Sequence, residues 1–204
     1  MKQVKSIVVI VSFFLLTMGA QAQSISIGLK GGLNFANISV SQSAGENYNN
    51  RTGYHFGAFT LIKLSKIGIQ PEILFSKQGS TVSINGQDFN QNFDYVNIPV
   101  ILKLYTVAGL NLQIGPQVGF LAGGTTETLD IQANKISGNA SDFIKSNDIS
   151  VALGLGWDLP FGLSVDGRYN LGISDNNKIS GSSSTVKNQV IQVSVGYKIF
   201  KLGK

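Results

Sequence analysis

Along Gln189-Val190-Ile191-Gln192-Val193-Ser194-Val195-Gly196-Tyr197-Lys198-Ile199-Phe200, apolar and polar residues alternate. Ile191, Val193, Val195, Tyr197 and Ile199 share one face. Gln192, Ser194, Gly196 and Lys198 share the other. A period of two belongs to a β-strand, whose successive side chains point to opposite sides. Here one side suits an apolar medium and the other a polar one.

The same pattern recurs up the chain. Expected strands run over about 24–35, 53–63, 67–76, 93–105, 110–121, 148–159 and 163–170, and no helical period competes with them. The polar stretches between them read as four long loops, at 36–52, 77–92, 122–147 and 171–188. Short turns at 64–66, 106–109 and 160–162 alternate with them. The expected fold is therefore all-β: an eight-stranded antiparallel up-and-down barrel with both termini on the short-turn side. Short turns on one side and long loops on the other are the layout of a transmembrane barrel with periplasmic turns and extracellular loops. Closure removes the strand edges that a bilayer cannot satisfy.

Alternation alone does not say which face points out, since a soluble lipocalin-like barrel carries the same period with its apolar face inside. Composition favours the membrane. Only 13% of the 204 residues are charged, and the polar face is built mainly of Gly, Ser, Asn and Gln. A water-exposed face carries far more Lys and Glu. Aromatics at expected strand ends (Phe35, Tyr54, Phe75, Tyr95, Phe120, Trp157, Tyr169 and Tyr197) suit the interfacial girdles. Pro71, Pro99 and Pro116 fall inside strands, where each removes a ladder donor, so bulges or strand ends are expected there.

Residues 1–22 read as a cleaved signal peptide. Lys2 and Lys5 precede the apolar run Ile7–Met18, and Ala20-Gln21-Ala22 is a cleavage site, leaving a barrel domain of 23–204. The apolar run is shorter than the roughly 20 residues of a membrane-spanning helix. With no cysteine, neither a lipid anchor nor a disulfide scaffold is available. The formal net charge of +5 falls to about +3 with the leader removed, too dispersed for nucleic-acid binding.

The residues also resemble a known family. The blocks Gly28–Asn37 (GLKGGLNFAN), Ile69–Ser80 (IQPEILFSKQGS), Asp94–Tyr105 (DYVNIPVILKLY), Leu112–Gly124 (LQIGPQVGFLAGG) and Gly167–Asp175 (GRYNLGISD) are similar to those of the PorT-like outer-membrane β-barrel family. The resemblance covers most of the mature chain. It implies an eight-stranded outer-membrane barrel and no reaction. The end of the chain departs from a common barrel pattern: Lys201-Leu202-Gly203-Lys204 follows Phe200, where an assembly signal usually ends on an aromatic.

The inward register collects Lys30, Glu72, Lys103, Asp166 and Arg168, with Asp148, Asp158 and Lys198 as further candidates. Charges in a narrow lumen need partners. The expectation is a salt-bridge network that plugs the barrel, with Glu72 on Lys30 or Lys103, and Asp166 on Arg168 or a neighbour. No cofactor or metal is expected. One histidine, His55, and no cysteine exclude the usual zinc and iron sites. The loop carboxylates Glu46, Asp88, Glu127, Asp130 and Asp142 lack the dense spacing of a calcium loop. A Ser-His-acid hydrolase would have to use His55, and no serine motif accompanies it. The chain is thus expected to be a non-enzymatic, monomeric protein of the outer membrane, in contact with lipid and with envelope or secretion proteins as candidate partners. A small pore for hydrophilic solutes is the alternative, and a soluble ligand-binding barrel the second.

Overall fold

The computed structural model describes residues 24–40, 47–84, 87–129, 135–143, 147–174 and 186–203. The expected signal peptide and the carboxylates Glu46 and Asp130 lie outside them, as do the side chains of Asp88 and Asp142. The strands are β1 (Ser24–Val40), β2 (Asn47–Leu64), β3 (Ile67–Ile84), β4 (Gln87–Tyr105), β5 (Leu110–Leu129), β6 (Lys135–Asn139), β7 (Asn147–Asp158), β8 (Leu163–Gly172) and β9 (Val186–Gly203). A single helical turn, α1 (Ala140–Phe143), follows β6.

Every pairing is antiparallel. β1 bonds to both β2 and β9, which closes a ring of eight in the order β1-β2-β3-β4-β5-β7-β8-β9. β6 stands apart from the ring and pairs with the far end of β5, from Thr125↔Asn139 to Leu129↔Lys135.

The barrel is apolar outside and polar inside. Ile191, Val193, Val195 and Tyr197 are exposed, whereas Gln192 and Ser194 are buried. The alternation holds around the wall: Leu29, Ile73, Val100, Leu112, Leu155 and Val165 face out, and Lys30, Glu72, Lys103, Gln113 and Asp166 face in. A continuous apolar exterior of this kind is not tolerated on a water-soluble monomer. It therefore overturns the soluble-barrel alternative, which requires the opposite arrangement. In β2, Tyr54 and Phe56 face out and His55, Phe59 and Leu61 face in, but Ile62, which strict alternation would send outward with Phe56, is buried beside Leu61.

Three expectations are corrected. First, most of the expected long loops are strand. Spanning takes roughly ten residues, yet β1 to β5 run to 17–20. Above the apolar band the backbones go on pairing, as in Ser80↔Gln91 to Ile84↔Gln87. Hairpin hydrogen bonds need no apolar face, so hydropathy does not reveal them. Second, Tyr95 is buried in the lumen rather than in a girdle. The pleat puts it in phase with Asn97 and Lys103, and Phe89 and Phe93 join it inside.

Third, the prolines cause neither bulges nor strand ends. Between β2 and β3 one register holds on both sides of a two-level gap, from Phe59↔Glu72 to Ile62↔Ile69, which takes in Pro71 and Gln70. The β3–β4 ladder likewise skips the levels of Pro99 and Ile98, and the β4–β5 ladder those of Pro116 and Gly115, with the register unchanged across each gap. Each proline faces its other neighbour in register (Pro71↔Val100, Pro99↔Gln117, Pro116↔Val151), so only one side of each strand loses contact. Register shifts occur instead at Ile27/Gly28 against β9, at Asn50/His55 and at Asp94/Tyr95.

Candidate functional site: a polar lumen in tiers

In the middle tier lie Lys30 from β1, Glu72 from β3, and Asp166 and Arg168 from β8. Their side chains are at most 2% exposed. Arg168 donates from Nη1 to Glu72 Oε2 at 2.9 Å and from Nη2 to Glu72 Oε1 at 2.7 Å. This is the two-pronged geometry that gives the strongest charged contacts. β3 and β8 are opposite one another in the ring of eight, so the pair crosses the full bore. Lys30 Nζ lies 3.2 Å from Glu72 and 2.7 Å from Asp166. Gln70 Nε2 donates to Glu72 Oε1 at 2.6 Å. Gln113 donates to Asp166 at 2.5 Å and accepts from Arg168 Nε at 2.7 Å.

The residues singled out in the sequence are thus brought together, with two changes of partner. Arg168 goes across the barrel to Glu72 and not to Asp166 on its own strand. Lys103 goes to Asp166 at 3.7 Å and Asp158 at 3.1 Å rather than to Glu72. Gln70 and Gln113 escaped sequence reading because a neutral amide carries no charge signal. Gly156 is also part of the tier. A Cβ there would come within 2.7 Å of Asp166 and Asn111 oxygens, so only glycine leaves room for the network.

Nearer the short turns, Asp158 accepts from Lys103 Nζ at 3.1 Å, Lys198 Nζ at 2.7 Å and Tyr105 Oη at 2.9 Å. Asp148 belongs to the opposite end, where Asn188 Nδ2 and Ser174 Oγ reach it at 3.2 and 3.0 Å. Lys198 and Asp158 therefore extend the network, and Asp148 forms a separate one.

The tier above contains His55. Its Nδ1 lies 2.8 Å from Asn34 Oδ1, and its Nε2 lies 2.8 Å from Ser194 Oγ. Asn34 Nδ2 faces the carbonyls of Tyr54 and Lys77, which leaves Oδ1 as the acceptor. Nδ1 then carries the proton, and Nε2 accepts from the Ser194 hydroxyl. The connectivity is that of a Ser–His–Asn relay, and a separation of 139 residues between His55 and Ser194 hid it from motif reading. A nucleophile must be reachable by substrate. Ser194 and His55 are each 2% exposed, so this relay is closed in.

Outside, Phe56 and Phe75 meet in a tilted contact at 5.4 Å between centroids, and Trp157 Nε1 donates to the Ala108 carbonyl at 2.9 Å. Phe35, Tyr54, Phe120, Trp157, Tyr169 and Tyr197 are exposed at the girdle positions.

Comparison with known proteins places this geometry. The profile described as an outer membrane protein beta-barrel domain matches residues 21–178. No curated protein sequence matches significantly. Among solved structures, Neisserial surface protein A is similar over 86% of this chain and 99% of its own, with a TM-score of 0.54 and 11% identity. Ail, the attachment invasion locus protein of Yersinia pestis, solved with the heparin analogue sucrose octasulfate, is similar over 88% of this chain and 99% of its own, with a TM-score of 0.52 and 12% identity. At such identities the likeness is one of fold.

Proposed function

The chain belongs to the outer membrane protein beta-barrel domain family, and on that premise we propose that it is a non-conducting barrel acting as a structural or interaction protein of the envelope. The carrying observation is the Arg168–Glu72 contact between opposite walls, closed to 2.7 Å and flanked by Lys30 and Asp166. An eight-stranded barrel is just wide enough for its side chains to fill. A lumen crossed by a paired, hydrogen-bonded charge cluster has no continuous water path at that level. Function then falls to the polar hairpins beyond the membrane, which offer contact surface to envelope or secretion partners. The PorT-like subdivision, a monomeric state and export by a cleaved leader at 1–22 complete the reading.

The relay of Ser194, His55 and Asn34 serves here to satisfy buried polar groups, not to catalyse. Reconstitution in planar bilayers tests the proposal. It predicts no steady single-channel steps. Reproducible steps on the nanosiemens scale would establish a small solute pore instead.

A further inference from the structure

The short-turn mouth of the barrel holds a cavity of about 450 Å³, within the usual range for small-molecule sites. Its wall carries Lys63, Lys66, Lys198 and Lys201 together with the hydroxyl-bearing Ser24 and Ser26, and among the described residues no carboxylate lines it. The acid that reaches this end, Asp158, is already engaged by Lys103, Lys198 and Tyr105. Lys63 Nζ rests 4.0 Å from the centre of the Tyr105 ring. Among the described residues, Lys66 and Lys201 have no ion-pair partner.

The backbone is arranged to put Lys201 there. Strict alternation after the inward Lys198 would send Phe200 into the mouth and Lys201 toward lipid. The register shift against β1 prevents this: Gly28 pairs with Lys198, Ile27 pairs with Phe200, and Ser26 pairs with Lys201. Ile199 is the extra residue. Ile199 and Phe200 are therefore both exposed outside, and Lys201 joins Ser26 at the cavity. Re-aiming side chains is what a β-bulge does. The basic tail that breaks the aromatic-terminated pattern is thereby given a place.

Lys198 is already offset by Asp158, which leaves the ammonium groups of Lys63, Lys66 and Lys201 around one cavity, and these repel one another unless an anion lies between them. Lysine binds phosphate as a compact point charge with rotatable donors, and serine hydroxyls add further donors. We infer that the short-turn mouth is a binding site for a phosphate group, held by Lys66 and Lys201 with support from Lys63 and Lys198. The group could be supplied by an anionic lipid headgroup or by a free phosphate. Phe161 at the rim is 93% exposed, held with φ at 64°, and sets an apolar ring beside the cationic wall. This site goes beyond the closed-lumen reading and survives its failure, since Lys66 and Lys201, which hold the group, take no part in the network of the plug.

The test uses the mature barrel. In nanodiscs of equal phosphatidylglycerol and phosphatidylcholine, native mass spectrometry is expected to show retained phosphatidylglycerol. In detergent, inorganic phosphate is expected to shift the Lys66 and Lys201 amide resonances saturably. The pair Lys66→Gln/Lys201→Gln weakens either binding by about 30-fold, roughly fivefold per lysine, and Lys66→Arg/Lys201→Arg retains it. If the glutamine pair does not fold, each single variant carries its fivefold loss. Retention of lipid without a response to phosphate assigns the site to a headgroup, and a response to phosphate assigns it to the anion itself. Absence of both, or equal binding by a folded glutamine pair, overturns the inference.

Discussion

Replacing Glu72 with glutamine keeps the shape of the side chain and removes its charge. In the wild type, that carboxylate accepts from Arg168 at 2.7 and 2.9 Å, from Lys30 at 3.2 Å and from Gln70 at 2.6 Å. After the change, Arg168 and Lys30 remain buried with Asp166 as the remaining acid of their tier, and the new amide directs hydrogens at groups that can only donate. Breaking a buried pair from one side costs about 3–5 kcal/mol. With a urea slope of about 2 kcal/mol per molar, the unfolding midpoint of the barrel in lipid vesicles falls by roughly 2 M. Arg168→Met strands the acid in the same way. The double variant Glu72→Gln/Arg168→Met leaves no unpaired charge between these positions, so its loss is smaller than the sum of the singles by at least about 2 kcal/mol. Additive losses, or a single-variant cost under about 1 kcal/mol, would refute a shared, dry ion pair across the lumen.

Other perturbations separate the two faces of the wall. Val193→Lys, on the exposed side of β9, is expected to cost about 2–4 kcal/mol in the same vesicle titration if it lies near the bilayer midplane. Gly156→Val drives a branched side chain into the Gln113, Asp166 and Asn111 cluster and is expected to abolish the heat-dependent gel shift of a folded barrel. Ser194→Ala removes the donor to His55 Nε2. It is expected to lower stability by about 1 kcal/mol and to leave ester and phospholipid hydrolysis at the uncatalysed rate before and after the change. Hydrolysis that the wild type supports and Ser194→Ala loses would make the relay catalytic.

The wall was legible in the sequence because two media act on one backbone with a period of two. Lys30, Glu72, Lys103, Asp166 and Arg168 could be assigned inward simply by counting from neighbouring apolar residues. Their pairing could not be read so easily. Which inward residues meet depends on the stagger of opposite strands, and Arg168 and Glu72 are 96 residues apart. Tyr95 shows the limit of reading chemistry before phase: an aromatic near a strand end suggested a girdle, while the pleat placed it inside. The polar hairpins were invisible because paired backbone above a membrane leaves no hydropathy pattern. The bulge at Ile199 was hidden too, since Lys-Ile-Phe-Lys fits either phase until β1 is set beside it.

Nitroxide labels along β9 report which face of the wall meets lipid and whether the lumen is dry, and the absence of native cysteine makes the chain suited to them. With Ile191→Cys, Val193→Cys and Val195→Cys labelled in turn, the expected result is high accessibility to dissolved oxygen and low accessibility to a water-soluble nickel relaxant. At Gln192→Cys and Ser194→Cys low accessibility to both is expected, because those positions face a packed lumen. High nickel accessibility at 192 and 194 would reveal a water-filled pore and contradict the closed barrel.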